Sequence, residues 1–254
     1  MNRIHNFNSG FKEHQKNSEV PLISSGNSTL NELLDGGFHR NLIYLLYGDK
    51  KETTRILLTT SVIAQKSRVN GGLGGGIKIA FVDGYNRFNP YTVSKFAVTQ
   101  HLSPTQVLDS ILISRAFTWD QMVEILQNRL SKLDDIKVVL ISGITSLFQD
   151  YEKKTFEELL KAIDGIKKTI EKKRPLIIFT APLHEYSFFR PKGGKILAHF
   201  GSVLVQIDDT ERYTEYKLMQ HPYLPEKVLK KFKKRKSRKN PQTVTKNRRI
   251  DCWL

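Results

Sequence analysis

Sulfur and long apolar runs are what this chain of 254 residues has least of. Its one cysteine, Cys252, excludes an internal disulfide framework and suits a reducing compartment. No apolar stretch approaches the roughly 18 residues that crossing a bilayer takes. The polar start Met1-Asn2-Arg3-Ile4-His5-Asn6 is no signal peptide, so a soluble intracellular protein with no membrane partner is expected. His184, His199 and His221 lack metal-ligand spacing, and no Ser-His-Asp or Cys-His arrangement suggests itself. No metal and no nucleophilic catalysis are expected.

What is there in excess is positive charge, and it is unevenly placed. Of the formal +16, residues 227–254 supply eleven, with twelve Lys or Arg against the single acid Asp251. The block Lys230-Lys231-Phe232-Lys233-Lys234-Arg235-Lys236-Ser237-Arg238-Lys239 holds like charges that repel and only one apolar side chain. It is expected to be unstructured when alone. Lys230, Lys231, Lys233, Lys234, Arg235, Lys236, Arg238 and Lys239 read as a polyanion-binding arm that neutralises phosphates and releases counterions. A solubilising tail or a nuclear-localisation signal is the blander reading.

The body alternates short apolar runs with helical patterns. Strands are predicted at 42–47, 77–82, 111–113, 138–141 and 176–179, and helices at 56–65, 91–100, 119–130 and 155–172. Uninterrupted apolar strands separated by helices predict an α/β fold, a mostly parallel central sheet with helices on both faces. Residues 202–207 and 213–219 alternate more and read as a C-terminal antiparallel hairpin around Asp208-Asp209. Gly71 to Gly76 precedes a strand instead of opening a helix, so it reads as a flexible connection.

Strand, glycine turn and helix at 42–65 form the setting of a phosphate-binding loop, G-x-x-x-x-G-K-[ST]. From Gly48 on, Lys50 and Lys51 fall inside the loop. Thr53 stands at the second glycine, Thr54 at the lysine and Arg55 at the magnesium-binding hydroxyl. Asp49 and Glu52 add carboxylates where phosphate oxygens would sit, and like charges repel.

Five blocks in order resemble archaeal RadA and its eukaryotic recombinase relatives. They are Ile23 to Gly37, Gly71 to Phe88, Ser114-Arg115-Ala116-Phe117, Gly193-Gly194-Lys195-Ile196-Leu197-Ala198-His199 and His221-Pro222-Tyr223-Leu224-Pro225-Glu226. The resemblance implies a RecA-like P-loop NTPase core over about residues 19–226. A flexible segment 1–18 would precede it and a basic, disordered tail 227–254 would follow. The stretch before the core leaves no room for the family's helical DNA-binding domain, so a single-core paralogue is expected.

Against the family pattern the catalytic glutamate falls on Tyr85, two positions after the strand-end acid Asp83. The second metal-site acid falls on Ser142, and the γ-phosphate sensor falls in Ala181-Pro182-Leu183. Asp83 then reads as a strand-end cap. Phosphoryl transfer is mostly positioning and charge stabilisation, so a pseudo-ATPase with degenerate Walker A and Walker B motifs is expected. Lys50 and Lys51 leave weak ATP binding open. The loop Leu183 to Lys192 sits at the family's second DNA-binding loop. Its Tyr186, Phe188, Phe189, Arg190 and Lys192, with Lys195 beyond, suit stacking and phosphate contact with single strands. Phe188 and Phe189 folding back on the core is the competing reading. The first family loop, near Phe148 to Lys154, is shorter and without glycines.

The resemblance implies a non-catalytic paralogue that binds DNA, single-stranded favoured, and modulates an active RadA-like recombinase or another paralogue in recombination and repair. Such a protein would be cytoplasmic and nucleoid-associated, or nuclear in a eukaryote. Family members pass an aromatic residue from before the core to the next subunit, for which Phe7 is the candidate; an unanchored chain start is the alternative. An ATP-binding DNA-dependent ATPase with a divergent loop, and a non-DNA scaffold of the circadian-clock-like branch, are the other two readings.

Overall fold

Eight strands form one sheet in a computed structural model that describes residues 22–148 and 153–233. They are β1 (Ile43–Gly48), β2 (Lys78–Asp83), β3 (Ile111–Arg115), β4 (Ile136–Ser142), β5 (Leu176–Ala181), β6 (Val203–Asp209), β7 (Tyr213–Gln220) and β8 (Lys227–Phe232). Their spatial order is β3-β2-β4-β5-β1-β6-β7-β8. β1 to β6 pair in parallel, and β6-β7 and β7-β8 pair antiparallel. The expected α/β core with a parallel sheet and a terminal antiparallel hairpin is therefore present.

Parallel neighbours need crossovers, and among the described residues seven α-helices supply or decorate them: α1 (Ser28–Leu33), α2 (Lys50–Ile63), α3 (Pro90–Thr99), α4 (Pro104–Asp109), α5 (Trp119–Glu124), α6 (Lys153–Lys173) and α7 (Gly194–Phe200). β1 shows how the layers arise. Its residues alternate faces, so Tyr44 and Leu46 join one core with α2, α3 and α4, while Leu45 and Tyr47 join a second core with α5, α6 and α7. Both cores are closed to solvent: Leu46, Ile56, Val93, Phe179, Leu159 and Leu197 are fully buried.

Several sequence expectations need correction. α2 starts at Lys50, six residues before the predicted Ile56, because Asp49 caps it. The stripe Met122, Ile125, Leu126 and Leu130 is buried as predicted, but α5 loosens after Glu124 into a π-helical turn (Ile125–Arg129) and a 3-10 turn (Leu130–Lys132). Gly71 to Gly76 is not free throughout. Gly72, Leu73 and Gly74 donate to the carbonyls of Ser67, Ala64 and Lys66 at 3.1, 2.8 and 2.7 Å, closing the end of α2. The short α1, α4 and α7 were not anticipated.

The largest correction concerns the basic run. It was expected to be unstructured from Lys227, yet its first six residues form β8, paired with β7 from Lys227↔Leu218 to Phe232↔Tyr213. Ladder bonds and the half-buried Leu229, packed beside α1, outweigh the repulsion among its lysines. Expectations for residues 1–18 with Phe7, for Lys234, Arg235, Lys236, Arg238 and Lys239, and for residues 149–152 lie outside the described residues.

A close approach in the second core gives a test in which two effects oppose. Ala in a helix gains about 1 kcal/mol over Gly, but a Cβ at Gly165 of α6 would lie 2.2 Å from the Leu126 carbonyl oxygen and 2.4 Å from Gln127 Cα. Backbone cannot yield as a side-chain tip does. Gly165→Ala is expected to destabilise by about 1–3 kcal/mol in chemical denaturation; a stabilised variant would mean α6 and the π turn slide apart freely.

Candidate functional site

β1 delivers the chain to α2 through a single turn. Gly48 has φ +118°, and a Cβ there would sit 2.2 Å from the Ile207 carbonyl oxygen of β6. The next amide, Asp49 N–H, donates to that same oxygen at 2.8 Å. Asp49 is the N-cap of α2, its Oδ1 accepting from Glu52 N–H at 2.7 Å. A phosphate loop works by leaving such amides free at a positive helix end. Here one is bonded to β6, and the helix end carries its own carboxylate.

The side chains in the next turn are also occupied. Thr53 and Thr54 are buried and donate to the carbonyls of Asp49 and Lys50 at 2.8 and 2.7 Å. Arg55 Nε donates to Glu52 Oε2 at 2.7 Å. Lys50 Nζ lies 4.6 Å above the Tyr85 ring, a cation–π contact, and Lys51 is exposed.

Glu52 reaches the other way, into a polar knot that sequence reasoning missed. The Tyr216 hydroxyl of β7 donates to Glu52 Oε1 at 2.6 Å, and Asn27 Nδ2 donates to Tyr216 Oη at 2.6 Å. Asn27 is in turn the N-cap of α1. Burial pushes the Glu52 carboxyl up, but hydrogen bonds from Arg55 and Tyr216 outweigh it and hold the group below its ordinary 4.5. Burial and then the Glu52 bond push the Tyr216 phenol well above its usual range.

At the ends of β2 and β4 stand Asp83, Tyr85 and Ser142, all buried. Asp83 accepts from Arg87 N–H at 3.1 Å and Phe88 N–H at 2.7 Å, with Arg115 Nε 3.9 Å away. That is the strand-end cap read from the sequence. Tyr85 Oη and Ser142 Oγ have no hydrogen-bond partner among the described residues. Burial, then the Asp49 charge, push the Tyr85 phenol well up. No group of three or more His, Cys, Asp or Glu among the described residues could hold a metal ion.

The loop 183–192 is held by its backbone and open in its side chains. His184 N–H donates to Arg190 O and Lys192 N–H to Pro182 O, both at 2.8 Å. The side chains of Gln206 and Tyr47 donate to Phe188 O and Phe189 O at 2.9 and 3.2 Å. Tyr186, Phe188 and Phe189 are 80, 84 and 64% exposed, so the rings do not fold back on the core. Arg190 and, on α7, Lys195 are exposed, and Lys192 is half-buried. In the first loop, Phe148 is buried edge-on between Trp119 and Phe156.

β8 distributes its lysines. Lys227 pairs with Glu32 at 3.7 Å, Lys230 pairs with Glu215 at 3.1 Å and sits 4.7 Å above the Tyr213 ring, Lys231 is exposed, and just past the strand Lys233 pairs with Asp209 at 2.7 Å. At the opposite edge, β3 exposes Leu112 and Ile113 beside a groove of about 150 Å³ lined by Phe81, Ile125, Leu130 and Leu133.

The strand order, the terminal hairpin and the strand–turn–helix at Gly48 define a RecA-like recombinase core. The Rad51 family model matches residues 16–163, more than half of the chain, and the chain belongs to that family. It is 29% identical over 146 residues to the "DNA repair and recombination protein RadA" of Cenarchaeum symbiosum, covering 56% of this chain and 36% of that protein. It is 31% identical over 147 residues to the protein of the same name from Metallosphaera sedula, covering 56% of this chain and 45% of that one. The match thus spans less than half of either relative. The family match includes Gly48 to Arg55, Asp83, Tyr85 and Ser142, whereas loop 183–192 and β8 lie beyond it.

The knot at Glu52 carries a stability test. Tyr216→Phe leaves the half-buried Glu52 short of a donor and is expected to cost about 1–3 kcal/mol in chemical denaturation. Because folding lowers the Glu52 value, its stabilisation is complete above 4.5 and is lost as pH falls through the lowered folded value. Glu52→Gln should therefore make stability fall less steeply on acidification; an unchanged acid limb would mean another carboxylate carries it.

Proposed function

We propose that this chain is a recombinase-family subunit that binds single-stranded DNA and assists an active RadA-like recombinase without hydrolysing ATP. The observation that carries the reading is the closed start of α2. Asp49 caps the helix, its own amide is bonded to Ile207, and both threonines that follow bond backward to helix carbonyls. Magnesium–ATP does not fit this arrangement. The phosphate-binding lysine position is Thr54, and Tyr85 and Ser142 stand where a base and a metal ligand would be needed. Burial makes the phenol harder to ionise and so a poor base.

The DNA half of the reading is supported by rings presented outward from an anchored loop with cations beside them. A stacking platform for single strands needs that combination. The assembly half is supported by family membership and by the apolar β3 edge, which offers unpaired backbone groups and the exposed Leu112 and Ile113.

Purified protein is expected to show no magnesium-dependent ATP turnover above background, with or without single-stranded DNA. Turnover that tracks the protein through a contamination control would establish the divergent-loop ATPase in its place. Phe188→Ala and Phe189→Ala should each weaken single-strand binding by about 1–3 kcal/mol and affect duplex less, as read by fluorescence anisotropy; equal losses on both would argue against stacking. Mixed with the cognate recombinase at micromolar concentration, the protein should form a stoichiometric complex or alter filament length. Neither would leave a stand-alone DNA-binding protein.

A further inference from the structure

The two faces of the β7–β8 hairpin answer their lysines differently. On one face, Lys217 bridges Asp208 and Glu215, both at 2.9 Å, and Lys230 joins Glu215 at 3.1 Å. Two cations meet two acids there, and that face is neutral. On the other face, Lys231 stands opposite Thr214 and shares its side of the sheet with Leu229 and Tyr216, which face α1 and the start of α2. The acids of this second face are spoken for. Asp49 caps α2, Glu52 is bonded by Arg55 and Tyr216, and Asp209 is bonded by Thr214 and Lys233. Among the described residues, neither Lys51 nor Lys231 lies within ion-pair distance of an acid.

The fold also brings these lysines together: Lys51 precedes Glu52, Glu52 accepts from Tyr216, and Tyr216 pairs with Leu229, two residues before Lys231 on the same face. Burial pushes the Asp209 carboxyl up, but bonds from Lys233 and Thr214 and the charges of Lys233 and Lys51 hold it below its ordinary value. Lys231 acts in the same sense on Glu52, behind burial and the partners already named. A basic strand distant in sequence therefore borders the closed end of the phosphate loop, and the cations there outnumber the acids left to meet them.

The geometry points to a phosphate-backbone surface formed by Lys51 at the start of α2 with Lys231 of β8, beside the Lys233–Asp209 pair, along which a single nucleic-acid strand lies. It rests on the DNA reading above and adds to it a second contact, made outside loop 183–192 by side-chain ammonium groups. The occupant is a strand and not a free nucleotide, because the surface is open, made of exposed side chains, and holds no enclosing loop of free amides. Lys230, committed to Glu215 and Tyr213 on the neutral face, does not belong to it.

The test titrates a fluorescent oligothymidylate with the full chain across a range of salt concentrations. In Lys51→Gln/Lys231→Gln, two phosphate contacts disappear, and the slope of log K against log salt should flatten by about 1.4. Lys161→Gln/Lys167→Gln on the outer side of α6 removes the same net charge and should leave the slope unchanged. An unchanged slope in the first variant, or equal flattening in both, overturns the surface. If the first variant keeps its slope while Phe188→Ala/Phe189→Ala still weakens binding, the DNA reading stands and this inference alone falls. If the wild-type chain binds no single strand, both fall. Photocrosslinking of a 5-iodouracil oligonucleotide to wild-type protein reads the contact without a variant: crosslinks in β8 support it, and crosslinks confined to loop 183–192 refute it. Displacement of the strand by stoichiometric ATP at matched ionic strength would assign the lysines to a free polyphosphate and refute it too.

Discussion

One carbonyl, Ile207 O at the end of β6, governs the junction between β1 and α2. It accepts the Asp49 amide and lies so close to Gly48 that no side chain fits there. β6 thus grips the turn and leaves no slack for a wide anion-cradling loop. With the turn tight, the helix begins at once, and Asp49 satisfies an amide that would otherwise need an anion. The following hydroxyls and the Glu52–Arg55 pair then have only the protein itself to bond. The family's strand–turn–helix is kept here with a carboxylate of the chain itself at the helix end.

The polar knot extends that constraint across the sheet. Asn27, Glu52 and Tyr216 come from three elements, and each uses the others to satisfy groups that burial would make costly. The terminal hairpin is consequently fixed against both α1 and α2. β8 inherits a defined orientation, so that its alternate lysines face different neighbours.

The sheet was legible because its central strands are uninterrupted apolar runs, as in Val138-Val139-Leu140-Ile141 and Leu176-Ile177-Ile178-Phe179, both buried throughout. The early start of α2 was hidden because Lys50 to Arg55 resembled a failed motif. The signal available was Asp49 followed three residues later by Glu52, a capping pattern. β8 was hidden by composition: three lysines in six residues outweighed Val228, Leu229 and Phe232, whose strand preference only pairing with β7 realises. α1, α4 and α7 are too short to show a repeat. The Gln206 anchor of loop 183–192 and the Tyr216 bond to Glu52 join residues 18 and 164 apart, and no local pattern encodes either. Asp83 was legible as a cap because a strand-end carboxylate before a tight turn has amides within reach.

The two rims of the sheet have opposite characters. β8 ends the sheet with lysines at 227, 230 and 231, and a strand arriving there would bring its own backbone dipoles against a row of ammonium groups. β3 ends it with Leu112 and Ile113 partly exposed and no lysine, and its one charged residue, Arg115, lies 3.9 Å from the buried Asp83. Lateral growth of this sheet is therefore one-sided. A chain built this way has a receptive rim and a forbidding rim, and in any linear array it imposes a direction that its own interior has already set.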